Sequence, residues 1–151
     1  MAEIIDKLEK LPSDVIELLQ KAQAVAPNAY NKYSKFYVGA AVRTKSNKIY
    51  TGTFLENVST GLTICAEPAA IMNANTQADF NIITIAVVGG AAIDEDGSPV
   101  TPCGRCRQII FEAARVSDVD IIVYSSNMNL SQVLITKISE LLPFPFLIEN
   151  L

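Results

Sequence analysis

The sequence has no histidine and no tryptophan, and only three cysteines among its 151 residues. Without histidine, no imidazole is available as a metal ligand, and an odd number of cysteines argues against a disulfide framework. No stretch can span a bilayer, because the longest apolar run, 82–93, is interrupted by a threonine and two glycines. Residues 1–10 carry three acidic side chains and no apolar core, so they do not form a signal peptide. These absences predict a cytoplasmic protein with no membrane partner.

The charge balance is also informative about partners. Twelve basic residues stand against sixteen acidic ones, giving a net charge of −4 and a pI near 4.8. Polynucleotide binding usually needs a basic patch, and none is visible, so a small-molecule partner is favoured over nucleic acid. The mean hydropathy of +0.27 fits either a generous core or burial between subunits. The length predicts one domain over residues 1–151.

Hydrophobic periodicity and turn residues divide the chain into alternating strands and helices. The predicted helices are 11–25, 65–76 and 103–115; the predicted strands are 38–43, 48–55, 82–88, 120–124 and 133–138. A loop is predicted at 94–99 and a short turn at 140–142. This alternation predicts an α/β fold, a three-layer α/β/α sandwich around a mixed five-stranded sheet.

All three cysteines fall into one pattern, Cys65-Ala66-Glu67 followed by Pro102-Cys103-Gly104-Arg105-Cys106. Both halves are expected at helix N-termini, with Thr101-Pro102 as the start signal of the second helix, where the helix dipole favours thiolates. A C-x-x-C pair alone would also fit a redox site. Three thiolates can hold Zn²⁺ with its fourth position open, and Glu67 is then placed to move protons there.

A zinc ion held by three thiolates has a net charge of −1, which calls for nearby positive charge. Arg105 and Arg107 flank Cys106 and are candidate donors to the thiolate sulfurs, together with the helix dipoles. Ordinary surface charge is the alternative interpretation of both arginines.

Several motifs in the same order resemble the small free-nucleoside cytidine deaminases over nearly the full length of the chain. The matching segments are Tyr33–Ala41, Glu56-Asn57, Gly61-Leu62, Cys65–Glu67, Pro102–Gln108 and Glu140–Pro143 with Phe146. The resemblance implies zinc-dependent hydrolytic deamination of cytidine and deoxycytidine to uridine and deoxyuridine, a step of pyrimidine salvage. It also implies a homotetramer whose active sites are completed by neighbouring chains, with a homodimer as the alternative.

By position, the resemblance implies that Cys65, Cys103 and Cys106 are the zinc ligands and Glu67 the proton shuttle. The substrate base would be held by the backbone N–H of Ala66 and by the backbone carbonyl near Thr101, and walled by Phe36 and Val38. Without the resemblance, Phe36 and Val38 would be interpreted as plain core residues.

The resemblance further implies that Glu56 bonds a ribose hydroxyl and that Phe146 closes the pocket of a neighbouring chain. Three positions depart from the family pattern. Phe54 stands where an asparagine usually shares the ribose hydroxyl, Thr60 replaces a tyrosine that reaches an adjacent subunit, and Pro68 replaces the arginine after C-A-E. These departures put sugar recognition, subunit contacts and charge compensation in question.

Other functions therefore remain open. The P-C-G-R-C-R-Q segment without an arginine after C-A-E is similar to blasticidin S deaminases, so the substrate could be blasticidin S, a modified nucleoside or a free base. A catalytically inactive, zinc-stabilised binding protein is a further alternative, against which Glu67 argues because a structural zinc site has no use for it. A polynucleotide editor is disfavoured by the net charge.

Overall fold

The computed structural model describes residues 2–91 and 96–148. Its strands are β1 (Glu3–Ile5), β2 (Tyr37–Thr44), β3 (Ile49–Thr53), β4 (Ile82–Gly90), β5 (Ile122–Asn127) and β6 (Val133–Lys137). Its α-helices are α1 (Ser13–Val25), α2 (Ala66–Thr76), α3 (Gly104–Ser117) and α4 (Ile138–Leu141). Three single turns of 3₁₀ helix cover 8–10, 26–28 and 60–62. No helix in the described ranges is long and apolar enough to cross a membrane.

The strands form one sheet in the order β1-β6-β5-β4-β2-β3. Only β4 and β5 run parallel, while the other neighbouring pairs are antiparallel, so the sheet is mixed. The apolar strand β4 lies between β2 and β5, as its continuous apolar run predicts. The antiparallel pair β2–β3 turns through Asn47, which adopts a left-handed backbone conformation with φ of 63°. Asparagine tolerates that conformation better than most residues do.

Helices cover both faces of the sheet. On one face α1 buries Leu18, Leu19 and Ala22 against alternate residues of β2, β4 and β5. On the other face α2, α3 and α4 pack over a second cluster that includes Ile85 and Ile110. The period of two along each strand sends successive side chains to opposite faces, which is why each central strand contributes to both clusters. The predicted three-layer sandwich is confirmed.

Several details differ from the expectations. The sheet has six strands instead of five, because Glu3–Ile5 pairs antiparallel with β6 at one edge. The second cysteine-bearing helix begins later than predicted, since Cys103 is its N-cap and Thr101 and Pro102 precede it. The predicted turn at 140–142 overlaps the short helix α4. Of the predicted loop 94–99, residues 94 and 95 lie outside the described ranges, and 96–99 have no regular secondary structure.

Candidate active site

Two helix starts with the same backbone geometry form the site. Cys65 is the N-cap of α2, with φ −70° and ψ 160°, and Cys103 is the N-cap of α3, with φ −67° and ψ 168°. Cys106 follows at the third position of α3 and is 1% exposed. The first N–H groups of a helix lack intrahelical acceptors and carry the positive end of the helix dipole, so both helix starts favour negatively charged sulfur.

The three sulfurs converge. The Sγ atoms of Cys65, Cys103 and Cys106 all lie within 4.8 Å of one another, and those of Cys103 and Cys106 are 3.5 Å apart. Tetrahedral zinc with Zn–S bonds of about 2.3 Å needs sulfurs about 3.8 Å apart. Small side-chain adjustments therefore suffice for these three thiols to hold Zn²⁺, and the set leaves a fourth position for another ligand.

The proximity of the thiols affects their protonation. A hydrogen bond from Cys106, assisted by one from Cys103 and by the charge of Arg105, outweighs burial and lowers the pKa of the Cys65 thiol to about 6. The same Cys65–Cys106 bond and burial raise the pKa of Cys106. Three adjacent thiolates repel one another strongly, so a divalent cation is the group that would allow all of them to ionise together. The donor set thus fits a thiophilic cation such as Zn²⁺.

Glu67 occupies the first turn of α2, two residues after Cys65, and is only 4% exposed. Burial raises the pKa of Glu67 to about 7, and the charge of Cys65 acts in the same direction. A carboxyl group with this pKa can both accept and donate a proton near neutral pH, which is the property that a general acid–base catalyst needs.

A small cavity of about 160 Å³ opens over the sulfurs and Glu67. Its polar lining residues are Cys65, Cys103, Glu67 and Thr101, and its remaining lining residues are Phe36, Val38, Phe54, Ala66 and Val100. The Phe54 N–H donates to the Val38 carbonyl at 3.0 Å, which holds these two wall residues together. Ligand pockets are typically about 300–1,000 Å³, so this cavity can enclose a flat ring but needs further walls around a larger substituent.

Two sequence-predicted contacts lie outside this cavity lining. The carboxylate of Glu56 accepts hydrogen bonds from the backbone N–H groups of Tyr33, at 2.7 Å, and Ser34, at 3.1 Å. Burial acts to raise the pKa of Glu56, but these bonds outweigh it and lower the pKa. Phe146 is 72% exposed and lies beyond the cavity of its own chain.

The two arginines have different surroundings. Arg105 donates from Nη2 to the Thr63 carbonyl at 3.4 Å, and its charge helps to lower the pKa of Cys65. Arg107 donates from Nε to the Pro102 carbonyl at 2.9 Å and from Nη1 to the Leu141 carbonyl at 3.1 Å. Arg105 therefore acts on the sulfurs through its charge, whereas Arg107 braces the backbone that leads into Cys103.

Two of the departures from the family pattern have clear positions. Pro68 is buried in the first turn of α2, where its missing N–H leaves no helical hydrogen bond unmade. Thr60 begins the exposed 3₁₀ turn 60–62.

Sequence reasoning missed two residues of this region. Val100 lines the cavity and donates its N–H to the carbonyl of Ser126 in β5, a contact without a local sequence signal. Gly52 allows β3 to approach the backbone of α2 closely. A glycine inside a strand pattern is a recognisable signal for such an approach.

A cluster of three cysteines with a buried carboxylate, built on two helix starts of an α/β/α sandwich, defines the class of zinc-dependent deaminases. The sequence model of the family described as cytidine and deoxycytidylate deaminase zinc-binding region matches residues 12–123. This chain belongs to that family.

Individual relatives are similar over most of their length. Cytidine deaminase from Halalkalibacterium halodurans is 37% identical over 134 residues, which cover 89% of this chain and 95% of the relative. Blasticidin-S deaminase from Bacillus cereus is 32% identical over 134 residues, covering 87% and 91%. The crystal structure of cytidine deaminase from Burkholderia pseudomallei superposes with a TM-score of 0.74 at 36% identity, covering 86% of this chain and 97% of that one.

Proposed function

We propose that this chain is a zinc-dependent hydrolase that deaminates cytidine and deoxycytidine to uridine and deoxyuridine, as a step of pyrimidine salvage. The observation that carries the proposal is that Cys65, Cys103 and the buried Glu67 line one cavity, while the sulfur of Cys106 lies within 4.8 Å of the other two sulfurs. The family membership and the cytidine deaminase relatives support the same reaction.

In this proposal Cys65, Cys103 and Cys106 hold the cation. Bound Zn²⁺ would supply Lewis-acid activation of water next to the substrate ring. Glu67 accepts a proton from the attacking water, whose oxygen forms the new bond to C4 of the ring. Glu67 delivers that proton to N3, then takes a second proton from the new C4 hydroxyl group and passes it to the amino group, so that the C4–N bond breaks, the C4 carbonyl forms and ammonia leaves. Its pKa near 7 suits both directions of transfer.

The ring itself would be held at the helix starts. The N–H of Ala66, the first helical residue of α2, has no intrahelical acceptor and is free to donate to the pyrimidine carbonyl. The backbone carbonyl of Thr101, at the edge of the cavity, would accept from the substrate amino group. Phe36 and Val38 supply apolar walls for the two faces of a flat ring.

A second candidate is a deaminase of another aminopyrimidine, and one observation favours it. The cavity lining contains Phe54, which cannot bond a sugar hydroxyl, while the Glu56 carboxylate is occupied by backbone N–H groups. The Bacillus cereus relative is a blasticidin-S deaminase. An N1 substituent other than ribose would suit this apolar wall.

Steady-state kcat/KM on cytidine, deoxycytidine, blasticidin S and cytosine separates the two candidates. We expect the zinc-loaded protein to use cytidine and deoxycytidine. Negligible turnover of both nucleosides, together with a good rate on another substrate, would rule out the cytidine deaminase function and support a deaminase of another aminopyrimidine.

Assembly and location complete the proposal. A homotetramer, or alternatively a homodimer, is supported by exposed apolar side chains between β3 and α2, namely Leu55, Val58 and Leu62. A cytoplasmic location is supported by three cysteines that serve best as reduced thiolates. Residues 1–151 would act as one domain, since the described ranges share a single sheet.

A further inference from the structure

The carboxylate of Glu56 binds a turn of the backbone that lies just before β2. Its Oε2 accepts from the Tyr33 N–H at 2.7 Å and from the Ser34 N–H at 3.1 Å, and its Oε1 is also 3.1 Å from the Ser34 nitrogen. Hydrogen bonds to an ionised acceptor are stronger than those between neutral groups. Both carboxylate oxygens are therefore used to hold backbone that is 22 and 23 residues away in sequence.

The turn needs this acceptor from outside. The Lys35 N–H donates to the Asn31 carbonyl at 2.9 Å, which closes a single turn over 31–35. In the described part of the chain, the N–H groups of Tyr33 and Ser34 have no backbone acceptor, as in the first turn of a helix. Lys35 also has a left-handed backbone with φ of 58°, a conformation that is unfavourable for a residue other than glycine. Glu56 supplies the bonds that stabilise this conformation.

The turn leads directly into the wall of the cavity. The Phe36 N–H donates to Oγ of Ser34 at 3.2 Å, so Phe36 is bonded to one of the residues that Glu56 holds. Phe36 lines the cavity, whereas Glu56 is not among the lining residues. A change at Glu56 can therefore reach a bound ring through the turn and Phe36.

The segment that carries Glu56 is itself fixed beside the turn. The Glu56 N–H donates to the Tyr30 carbonyl at 2.8 Å, and the Tyr30 N–H donates to the Phe54 carbonyl at 3.0 Å. Phe54 is a second aromatic residue of the cavity lining. Glu56 thus ties the turn before Phe36 to the segment that follows Phe54, and it fixes these two parts of the lining relative to each other.

We propose that Glu56 is a positioning residue that holds the turn 31–35 and thereby sets Phe36 against the substrate ring, instead of selecting substrates by their sugar. The inference rests on the proposed deaminase function and deepens it. It makes the contribution of Glu56 the same for every aminopyrimidine substrate, whether or not the N1 substituent carries hydroxyl groups.

The first test compares Glu56→Gln with wild type on cytidine and on 2′,3′-dideoxycytidine, which share the ring and differ in the sugar hydroxyls. Glutamine keeps the size of the side chain but turns an NH₂ donor towards the backbone N–H groups. We expect KM to rise about tenfold, the scale of one misplaced aromatic contact, with a much smaller change in kcat. The rise should be equal for the two substrates, so that the ratio of their kcat/KM values stays at the wild-type value.

A double-variant cycle tests the route through Phe36. If Glu56 acts through this ring, adding Glu56→Gln to Phe36→Ala should raise KM no further than Phe36→Ala alone. Asp120→Asn is a matched control, because the Asp120 carboxylate also accepts the N–H of a distant residue, Ser139, at 3.1 Å, and does not line the cavity. We expect Asp120→Asn to keep the wild-type KM for both substrates.

Amide hydrogen exchange, followed by NMR, tests the turn without any turnover. The N–H protons of Tyr33 and Ser34 should exchange faster in Glu56→Gln than in wild type, while those of β2 should not change. If Glu56→Gln does not fold, Glu56→Asp provides a second variant, because its carboxylate is one methylene group further from the turn. The same equal rise in KM is expected for Glu56→Asp.

A rise in KM for cytidine without a rise for 2′,3′-dideoxycytidine would overturn the proposal, because Glu56 would then bond a sugar hydroxyl. An unchanged KM for both substrates, unchanged exchange at Tyr33 and Ser34, or a double variant worse than Phe36→Ala would overturn it as well. Wild-type protein that deaminates no aminopyrimidine would instead overturn the proposed function, and the exchange measurement would still decide whether Glu56 holds the turn.

Discussion

Gly52 lies where β3 meets the catalytic helix, and adding one methyl group there tests how the site is positioned. A Cβ atom at Gly52 would lie 2.2 Å from the backbone nitrogen of Ala70 and 2.7 Å from the carbonyl oxygen of Ala66. Ordinary van der Waals contact begins at 3.4 Å, so the shorter distance is deficient by 1.2 Å. Both atoms belong to the backbone of α2 and cannot rotate away.

The strand and the helix must therefore separate by about 1 Å in Gly52→Ala, since neither surface can deform locally. Overpacking of this kind costs about 1–3 kcal/mol of unfolding free energy, which lowers Tm by roughly 2–12 °C for a chain of this size. The first turn of α2 carries Cys65 and Glu67, so the displacement also reaches the site. A misplacement of about 1 Å can cost about a hundredfold in rate.

The assay measures Tm, zinc content and kcat/KM for cytidine in three glycine variants. Gly61→Ala is the control, because a Cβ there would meet nothing within 4 Å. Gly39→Ala is a comparator, because its Cβ would lie 2.1 Å from the Ala22 carbonyl of α1, on the face of the sheet away from the site. We expect Gly39→Ala and Gly52→Ala to lose similar stability and Gly52→Ala to lose more activity. Wild-type Tm and kcat/KM in Gly52→Ala would refute the reasoning.

Three further outcomes are expected. Phe54→Asn should raise kcat/KM for cytidine by roughly ten- to a hundredfold, because leaving a ribose hydroxyl of the substrate unpaired costs on the order of 1–3 kcal/mol. A kcat/KM no higher than that of a Phe54→Leu control would contradict this. Glu67→Gln should lower kcat by about 10²–10⁴ while zinc content, measured by elemental analysis, stays unchanged. Hydrogen bonds from Ser46, and then from Thr44, hold the pKa of Asp79 in the folded protein below its usual 3.8. Asp79 therefore stabilises the fold above pH 3.8, and this stabilisation is lost as the pH falls through the lowered pKa of the folded state. Asp79→Asn should therefore lower Tm at pH 7 and converge with wild type in acid, and a difference independent of pH would argue against the carboxylate.

Local patterns were sufficient for most of the fold. The periodicity of 11–25 predicted α1, and the continuous apolar run at 82–88 predicted the central strand β4. The strand Glu3–Ile5 was not predicted, because three residues at a sheet edge are too few to show an alternation of apolar and polar side chains. It forms through its pairing with β6. The start of α3 was placed too early because Thr101-Pro102 is a general start signal, whereas the observed cap is the cysteine that follows it.

The candidate site likewise contains residues that local sequence patterns predict and contacts that only the fold reveals. The cysteines and Glu67 could be found because each half of the motif, Cys65-Ala66-Glu67 and Cys103 to Cys106, is a recognisable local pattern, and the helix starts that carry them could be predicted. The contact of Gln108 with Phe146 joins residues 38 positions apart, and no sequence pattern predicts it. Long-range pairs of this kind depend on tertiary packing, and only coordinates reveal them.

The first turn of α2 shows how one helix start can give two acidic groups opposite properties. The helix dipole favours the charged form of both Cys65 and Glu67, which are two residues apart. Hydrogen bonds from neighbouring thiols act in the same direction as the dipole and lower the pKa of Cys65 to about 6. Burial acts against the dipole and raises the pKa of Glu67 to about 7. Groups whose surroundings move their pKa values in opposite directions are suited to different tasks. Here the sulfur is prepared to bind a cation and the carboxyl group to exchange a proton, so burial of Glu67 is as necessary to the proposed chemistry as the presence of its carboxyl group.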